Sequence, residues 1–201
     1  MEYKIVSLGD LLENYKEIEI KKVFNTFQSK NKDVEHFLKS KSIEFQRVGL
    51  SRTTLVFSNE KDLIGYFSIS TKPLTISKRN WNRLSHNIQR KLNPMDSQSL
   101  QGTHEISSIL LGQLSKNNKY CQEISGEDLL SLAYDKIREL WKLGGGRILY
   151  VEVDDNPHLD HFYCQNGFRR LEIKDGKNNK DVIPYKTVNK QNLYVKKLSD
   201  I

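Results

Sequence analysis

Four consecutive residues, Ser125-Gly126-Glu127-Asp128, carry the clearest chemical signal in the chain. They have the form of a capping box, in which the Ser125 side chain accepts from the Asp128 amide and Asp128 returns a bond. Amides at the start of a helix, with the positive end of its dipole behind them, suit an anion such as a phosphate. Many strand–loop–helix units bind nothing, so the pattern alone is compatible with a phosphate site or with a purely structural cap.

Cysteine and histidine give weaker signals. Cys121 and Cys164 have neither a disulfide framework nor metal-ligand spacing, which fits a reducing compartment. A nucleophilic role for Cys121 would require a base that the sequence does not place beside it. His158 and His161 stand three residues apart, but no third ligand with suitable spacing accompanies them. We therefore predict no metal site.

Positive charge is concentrated in one part of the chain. The formal net charge is +7, and residues 51–100 hold 8 Lys or Arg against 3 Asp or Glu. Arg79, Arg83 and Arg90 lie in this window. Such a cluster suits nucleic acid or another acidic partner, but a solvated helix face is the simpler explanation of the charge alone.

Length and composition limit the class of protein. A chain of 201 residues with 37% hydrophobic residues is long enough for one domain with a core and short for two. Its apolar runs are far below the roughly 18 residues that a membrane span needs. The N-terminal segment mixes acids with apolar residues, unlike a signal peptide. We expect one cytoplasmic domain over residues 1–201, with no membrane contact.

The elements that must position Ser125 to Asp128 form a β–α–β unit. Ile106 to Leu114 reads as a buried strand, and Ser115 to Cys121 is a run without aliphatic side chains. An amphipathic helix then runs to Leu143, and three glycines end it. The strand Arg147 to Val153 closes the crossover, so we expect the two strands to be parallel neighbours.

Other elements follow from hydrophobic periodicity and turn residues. Asp33 is the expected N-cap of the second helix. Residues 72–101 are expected to form a basic helical insertion, with Arg79, Arg83 and Arg90 on its polar side. The remaining predicted elements are a strand at Lys4–Leu8, helices at Lys16–Phe27 and Asp33–Phe45, a hairpin of Arg52–Phe57 with Asp62–Ser70, a helix His158–Gln165 capped by Asn156-Pro157, and strands at Phe168–Ile173 and Leu193–Leu198.

Taken in order, these elements resemble the GCN5-related N-acetyltransferase superfamily, including its toxin-like branch. The resemblance implies an α/β (α+β) fold with a mixed central sheet, a splay between two parallel strands and helices on both faces. The segments that carry it are Asp62–Ile69, Leu111–Asn117, Ile124–Leu130, Tyr150–Val153 and His161–Phe168.

The resemblance implies acetyl-coenzyme A as co-substrate and no metal. The backbone of Leu114, Ser115 and Lys116 would pair with the pantetheine arm and the thioester carbonyl. Ile124, Ser125, Gly126 and Glu127 would hold the diphosphate, and Asn156 is also assigned to cofactor binding. The family's usual glycines and cation are missing between Cys121 and Ile124, and Glu123 adds a negative charge, for which Lys116 or Lys119 would compensate.

The family's chemistry assigns further roles. Tyr163 occupies the position of the proton donor, and a tyrosine with an ordinary pKa near 10 is protonated at neutral pH. The alternative is a core aromatic beside Phe162. Glu152 is the first candidate for the base, with Glu105 or a water chain as alternatives, and the Lys116 amide would contact the developing oxyanion.

The implied function is transfer of an acetyl group to a primary amine on a small molecule, a protein or an aminoacyl-tRNA. The alternatives are a tRNA-acetylating toxin, which would contact nucleic acid through Arg79, Arg83 and Arg90, and a catalytically inactive binding module of the same fold. The sequence leaves a homodimer open.

Overall fold

The computed structural model describes residues 3–93, 102–176 and 181–201. Contacts divide the chain into two compact units. The first unit is Met1–Ser70 with Leu111–Ile137, and the second is Thr71–Leu110 with Arg138–Ile201. The strands are β1 (Lys4–Ser7), β2 (Arg52–Phe57), β3 (Leu63–Ser70), β4 (Leu74–Ser77), β5 (Thr103–Ile106), β6 (Ser108–Lys116), β7 (Ile148–Val153), β8 (Arg169–Arg170), β9 (Glu172–Lys174), β10 (Val182–Pro184) and β11 (Asn192–Lys197).

Eight α-helices lie within the described residues, and two of them continue each other through a π-helical turn at Phe37–Lys41. They are α1 (Leu8–Asn14), α2 (Glu17–Asn25), α3 (Lys32–His36), α4 (Ser42–Arg47), α5 (Lys78–Trp81), α6 (His86–Leu92), α7 (Gly126–Gly144) and α8 (Pro157–Gln165). None of these helices is both long and apolar enough to cross a bilayer.

Seven strands form one mixed sheet in the order β1-β2-β3-β6-β7-β11-β8. The β2–β3 hairpin is antiparallel, as predicted, and Lys61 takes a positive φ of 68° in its turn. β6 and β7 are parallel, which confirms the predicted β–α–β crossover. Their pairing covers Ser108–Leu110 and Ile148–Tyr150, whereas β6 continues to Lys116 and β7 to Val153. Among the described residues, the pairing thus ends before either strand does.

The core of the first unit is aromatic and aliphatic. Phe27 packs edge-on against Tyr66 with 5.2 Å between ring centroids, and the Tyr66 hydroxyl donates to the Val34 carbonyl over 2.6 Å. The other fully buried members include Leu8, Phe24, Leu38, Leu55 and Leu63.

The predicted helix Asp33–Phe45 differs from the observed one at its start and in its middle. Asn31, not Asp33, is the N-cap, because its side-chain oxygen accepts from the Asp33 and Val34 amides. The π-helical turn then adds one residue to the helix. It brings Ile43 into the core, whereas Lys41 is exposed.

The core of the second unit joins the insertion to the strands. Trp81, Leu84 and Leu92 are buried with Ile148 and Tyr150, and Ile88 packs against this cluster. Trp81, Leu84, Ile88 and Leu92 recur at spacings of three and four in the sequence, and this apolar pattern is the one that packs into the core.

The insertion predicted as helical over residues 72–101 also contains a strand. Leu74 and Ile76 alternate with exposed residues in β4, which pairs with β5. Two short helices follow, α5 capped by Ser77 and α6 capped by Ser85. Residues 94–101, where the insertion was predicted to end, lie outside the described residues. We keep the single-domain interpretation as a proposal, because β6 and α7 each run through both units.

The C-terminal predictions are confirmed in part. Asn156 caps α8, and β11 pairs antiparallel with β7. The predicted strand Phe168–Ile173 is divided, because β8 pairs with β11 whereas β9 pairs with β10. Residues 176–180, Gly-Lys-Asn-Asn-Lys, have the composition of a turn, but residues 177–180 lie outside the described residues.

Candidate functional site

The start of α7 has the predicted capping box. The Asp128 amide donates to Ser125 Oγ over 2.9 Å, and the Ser125 amide donates to Asp128 Oδ2 over 3.4 Å. Ile124 is 2% exposed and packs into the core, so only its backbone could meet a ligand. Gly126 is half-buried, and Glu127 is exposed. Among the described residues, the amides of Gly126 and Glu127 have no hydrogen-bond acceptor, which leaves two donors at the positive end of a 19-residue helix.

Acidic side chains surround these donors. Asp128 and Glu127 lie in the first turn, and Glu123 lies just before it. Burial raises the pKa of the Tyr3 hydroxyl, and the neighbouring Asp128 and Glu123 carboxylates raise it further. The electrostatic field at the helix start is thus partly compensated by the chain's own acids.

Compensation of the Glu123 charge by Lys116 or Lys119 stays a prediction. Lys116 Nζ donates to the Cys121 carbonyl over 3.0 Å, which joins the two ends of the loop between residues 116 and 121. Lys119 Nζ lies 4.9 Å from the centroid of the Tyr120 ring. The Tyr120 hydroxyl in turn donates to Asp62 Oδ1 over 2.6 Å, which holds the loop against the start of β3.

The end of β6 is tied to the chain between α2 and α3. Ser115 Oγ lies 3.1 Å from Ser29 Oγ and donates to the Lys116 carbonyl over 3.2 Å. Ser29 Oγ accepts from the Asn31 amide over 3.2 Å, so its own proton is free to donate to Ser115. The side chain of Ser115 is therefore engaged. Leu114–Lys116 are all half-buried, and contact of a ligand with their backbone atoms stays a prediction.

Asn117 is the residue that sequence reasoning missed. It is fully buried, and its Nδ2 donates to the Leu63 carbonyl over 2.7 Å and to the Thr26 carbonyl over 3.3 Å. Its Oδ1 accepts from the Gln28 and Lys119 amides, each over 3.1 Å. One side chain thus joins β3, the end of α2 and the loop before α7. A lone asparagine in a polar run gives no sequence signal of burial.

Close packing at Gly65 brings α7 onto β3. A Cβ atom there would lie 3.2 Å from Leu129 Cδ1 and 3.3 Å from the Ser115 carbonyl oxygen. The missing side chain lets the first turn of α7 approach the strand next to β6. The glycine falls inside a correctly predicted strand, where it marks a close approach.

In the second unit, Tyr163 lies on α8 and is 8% exposed. Its ring makes edge contacts with Phe162 and Phe168, with centroids 5.1 Å and 5.3 Å away. Tyr194 lies 6.0 Å away at an interplanar angle of 32°. This aromatic setting is compatible both with a fixed proton donor and with a core residue, so the assigned role stays a prediction.

Glu152 is half-buried in β7, two residues after Tyr150 and therefore on the same face of the strand. Burial raises the pKa of the Tyr150 hydroxyl well above its ordinary value, and the Glu152 charge adds to this. The same carboxylate raises the pKa of Tyr185, for which burial is the main cause. Glu152 thus lies close to two buried phenols.

The Asn156 side chain caps α8, because its Oδ1 accepts from the His158 amide over 2.9 Å. The two acids before it are also engaged. Asp155 forms an ion pair with Lys186 over 2.9 Å, and this pair lowers the pKa of Asp155. Asp154 accepts a hydrogen bond from Gln191 Nε2 over 2.9 Å. These contacts hold the segment before β11.

The three arginines do not share a helix face, which corrects the sequence prediction. Arg79 lies on α5 and Arg90 on α6, and both are exposed. Arg83 lies between these helices, where its Nε donates to the Lys174 carbonyl over 2.8 Å. The Lys174 amide returns a bond to the Arg83 carbonyl over 2.9 Å. Arg83 therefore has a structural role.

No group of three or more metal-ligating side chains occurs within residues 3–93, 102–176 and 181–201. Cys121 and Cys164 are unpaired and exposed.

No protein-family model matches the chain, and no curated protein sequence matches it. Solved structures do match. A tyrosine-to-phenylalanine mutant of KacT has 18% sequence identity and a TM-score of 0.66, over 100% of this chain and 97% of that one. AtaT complexed with acetyl-methionyl-tRNAfMet has 19% identity and a TM-score of 0.61, over 96% and 94%. An AtaT mutant toxin bound to the C-terminus of the antitoxin AtaR and acetyl-CoA has 16% identity and a TM-score of 0.62, over 100% and 96%.

These likenesses extend over nearly the whole length of each chain. They confirm the predicted fold, the mixed α/β fold of the GCN5-related N-acetyltransferases. At sequence identities below one fifth, these likenesses show the fold alone.

Proposed function

We propose that the protein is an acetyl-CoA-dependent N-acetyltransferase that acts on a primary amine. The observation that carries the proposal is the pairing of β6 and β7, which ends at Leu110 and Tyr150 although both strands continue. Beyond the last pair, β6 still neighbours β3 and β7 still pairs with β11, so each strand has the backbone groups of one edge available to a ligand. The solved structures of the same fold include a toxin bound to acetyl-CoA, which supports this choice of ligand.

The proposed donor site uses backbone atoms. Leu114, Ser115 and Lys116 would bind the pantetheine arm, because the Ser115 hydroxyl and the Lys116 ammonium are engaged elsewhere. The amides of Gly126 and Glu127 would bind the diphosphate, and the Ser125 cap holds them in place. Ile124 would contribute its backbone alone. Asn156 fits less well, since its side chain caps α8.

The proposed chemistry forms a C–N bond and breaks the thioester C–S bond. The Lys116 amide would donate to the carbonyl oxygen as negative charge develops there. Tyr163 would give its phenolic proton to the departing sulfur. The amine must lose a proton, and Glu152 is the proposed acceptor, directly or through water. Glu105 suits that role less, because it is exposed on β5 opposite Thr75.

Calorimetry with acetyl-CoA is the first test. We expect saturable heat and a raised melting temperature, because a ligand that binds only the folded state stabilises it. Release of coenzyme A would then be measured by chromatography with an acceptor mixture, defined as a polyamine, a lysine-containing peptide and aminoacyl-tRNA. No heat and no thermal shift would favour the alternative, a binding module of this fold without catalysis.

Replacing Tyr163 tests the proton donor. Tyr163→Phe keeps the ring contacts with Phe162 and Phe168 and removes the hydroxyl. We expect turnover to fall by roughly 10²-fold, the lower end of what a general acid contributes, with acetyl-CoA affinity unchanged. Tyr15→Phe, an exposed tyrosine, is the matched control. Full activity of Tyr163→Phe would leave Tyr163 as a core aromatic.

A second candidate function is acetylation of aminoacyl-tRNA by a toxin. It is favoured by the exposed arginines on α5 and α6, Arg79 and Arg90, and by the solved complex of AtaT with acetyl-methionyl-tRNAfMet. Incubation with acetyl-CoA and methionyl-tRNA would give acetyl-methionyl-tRNA if this narrower function holds. Transfer to the polyamine or peptide alone would exclude it. An antitoxin-like partner, a homodimer and a cytoplasmic location remain predictions.

A further inference from the structure

The ring of Tyr194 lies beside Tyr163 in a fixed position. Tyr194 is in β11, where its backbone pairs with Val151 of β7 on one side and Arg170 of β8 on the other. Its side chain is 1% exposed. A residue whose backbone pairs with a strand on each side cannot shift without breaking ladder bonds. The sheet therefore fixes the position of Tyr194, and with it the position of the side chains that contact Tyr194.

The hydroxyl of Tyr194 reaches α8. It donates to Asp160 Oδ1 over 2.5 Å, and burial together with the Asp160 charge raises its pKa, so it remains a donor. Arg170 Nη1 lies 3.5 Å from the same oxygen, and Arg170 Nη2 lies 3.4 Å from Glu172. The Asp160 carboxylate is thereby held by two groups from the sheet.

Asp160 and Tyr163 are three residues apart and so lie on one face of α8. The Tyr194 side chain touches both, because its hydroxyl bonds Asp160 and its ring lies 6.0 Å from the Tyr163 ring. Contacts between rings leave a broad range of orientations with similar energy, whereas a short hydrogen bond to a carboxylate is directional. The hydrogen bond between Tyr194 and Asp160 therefore determines where the Tyr163 ring lies against the Tyr194 ring.

We propose that Tyr194 and Asp160 are positioning residues, which fix the rotation of α8 and thereby hold the Tyr163 phenol in the orientation needed for proton transfer. This inference rests on the proposed function of Tyr163. α8 has only nine residues, so a single bond near its centre controls its rotation. A small displacement of a reacting group is enough to slow a reaction strongly.

Tyr194→Phe tests the inference in two backgrounds. The change keeps the ring and removes the hydroxyl, so we expect kcat for coenzyme A release with the acceptor mixture to fall about tenfold, with KM for acetyl-CoA unchanged. In the Tyr163→Phe background the same change should have no effect, because the proton donor is already absent. An equal loss in both backgrounds, or no loss in the first, would overturn the proposal.

Asp160 gives an independent test by rescue. Asp160→Asn keeps an oxygen that can accept from Tyr194, whereas Asp160→Ala does not. We expect kcat of the Asn variant within about twofold of wild type and kcat of the Ala variant about tenfold lower. Equal losses in both variants would show that the carboxylate charge, not the bond to Tyr194, is what matters, and the proposal would fail.

A spectroscopic measurement needs no turnover. With 3-fluorotyrosine at position 163, the ¹⁹F line should shift and broaden in Tyr194→Phe and stay unchanged in Tyr66→Phe. The control removes a comparable hydroxyl bond, of 2.6 Å to the Val34 carbonyl, in the first unit. An unchanged line in Tyr194→Phe would refute the positioning role. Wild-type protein that releases no coenzyme A would instead contradict the proposed function, and the ¹⁹F result would still report on the position of the ring.

Discussion

Single side chains with several partners decide much of the local structure around the candidate site. Asn117 satisfies two carbonyls and two amides from separate segments, and Ser29 connects the α2–α3 chain to Ser115. Except for the bond from the Lys119 amide, these contacts join residues far apart in sequence. Hydrophobic periodicity carries no information about such bonds, which is why sequence reasoning placed the capping box of Ser125 correctly and missed Asn117.

Removing the Asn117 side chain should destabilise the first unit. Asn117→Ala would leave buried carbonyls and amides without partners, so we expect the free energy of unfolding to fall by about 3 kcal/mol. Urea denaturation measures this change. Asn118→Ala, an exposed neighbour, is the matched control and should change the stability little. Equal stability of the two variants would contradict the structural role of Asn117.

Glu35 gives the stability a defined pH dependence. Its carboxylate accepts from Lys39 over 2.7 Å, from the Ser29 amide over 3.1 Å and from Lys32 over 3.1 Å, and together they lower its pKa to about 2. A lowered pKa in the folded state stabilises the protein above the ordinary pKa near 4.5, and the effect is lost as the pH falls toward 2.

We therefore expect Glu35→Gln to be less stable than wild type at pH 7 and to approach the wild-type stability near pH 2. Urea denaturation at pH 7, 4 and 2.5 would follow the difference. Glu60→Gln, at the exposed β2–β3 turn, is the control. A difference that does not narrow on acidification would show that the ion pairs of Glu35 are not its source.

At the scale of elements, long periodic segments were predicted well and short ones were not. The β2–β3 hairpin, α7, β7 and the Asn156 cap of α8 were all placed from their sequence. β4 and β5 have four residues each, too few for alternation to stand out, and the insertion divides into two helices at a serine cap. Because of that division, Arg79 and Arg90 lie on different helices.

The acids around the start of α7 should weaken the binding of an anionic ligand. Glu123→Gln removes one negative charge beside the Gly126 and Glu127 amides, so we expect acetyl-CoA to bind about fivefold more tightly at low salt, roughly 1 kcal/mol. Calorimetry measures the change. Glu139→Gln, exposed in the same helix, is the matched control and should have no effect. Unchanged affinity in Glu123→Gln would place the diphosphate elsewhere.

At the scale of the whole molecule, the excess of positive charge is a property of residues 51–100 and not of the chain as a whole. Binding of tRNA through phosphate contacts should weaken as salt increases. Arg79→Gln with Arg90→Gln should reduce the slope of log affinity against log salt by about 1.5, because two phosphate contacts are lost. Fluorescence anisotropy with labelled tRNA measures the slope.

Two design choices make that measurement specific. Arg83 is left unchanged, because it holds Lys174 and its loss would disturb the fold. Lys21→Gln with Lys22→Gln changes the net charge equally on exposed positions of α2 and is the control. The same slope in both double variants would mean that net charge alone, and not the arginines of the insertion, governs the binding.

The π-helical turn at Phe37–Lys41 has a consequence for the length of the chain. A π turn contains one residue more than an α turn. It therefore lets Ile43 lie on the same face of the helix as Leu38 although the two residues are five positions apart. In a regular α-helix a separation of four gives the same alignment. The exposed Ser40 can therefore be regarded as the extra residue of the π turn. A chain without Ser40 could keep Leu38 and Ile43 in the core by adopting an ordinary helix, so this segment can accommodate a single-residue insertion or deletion.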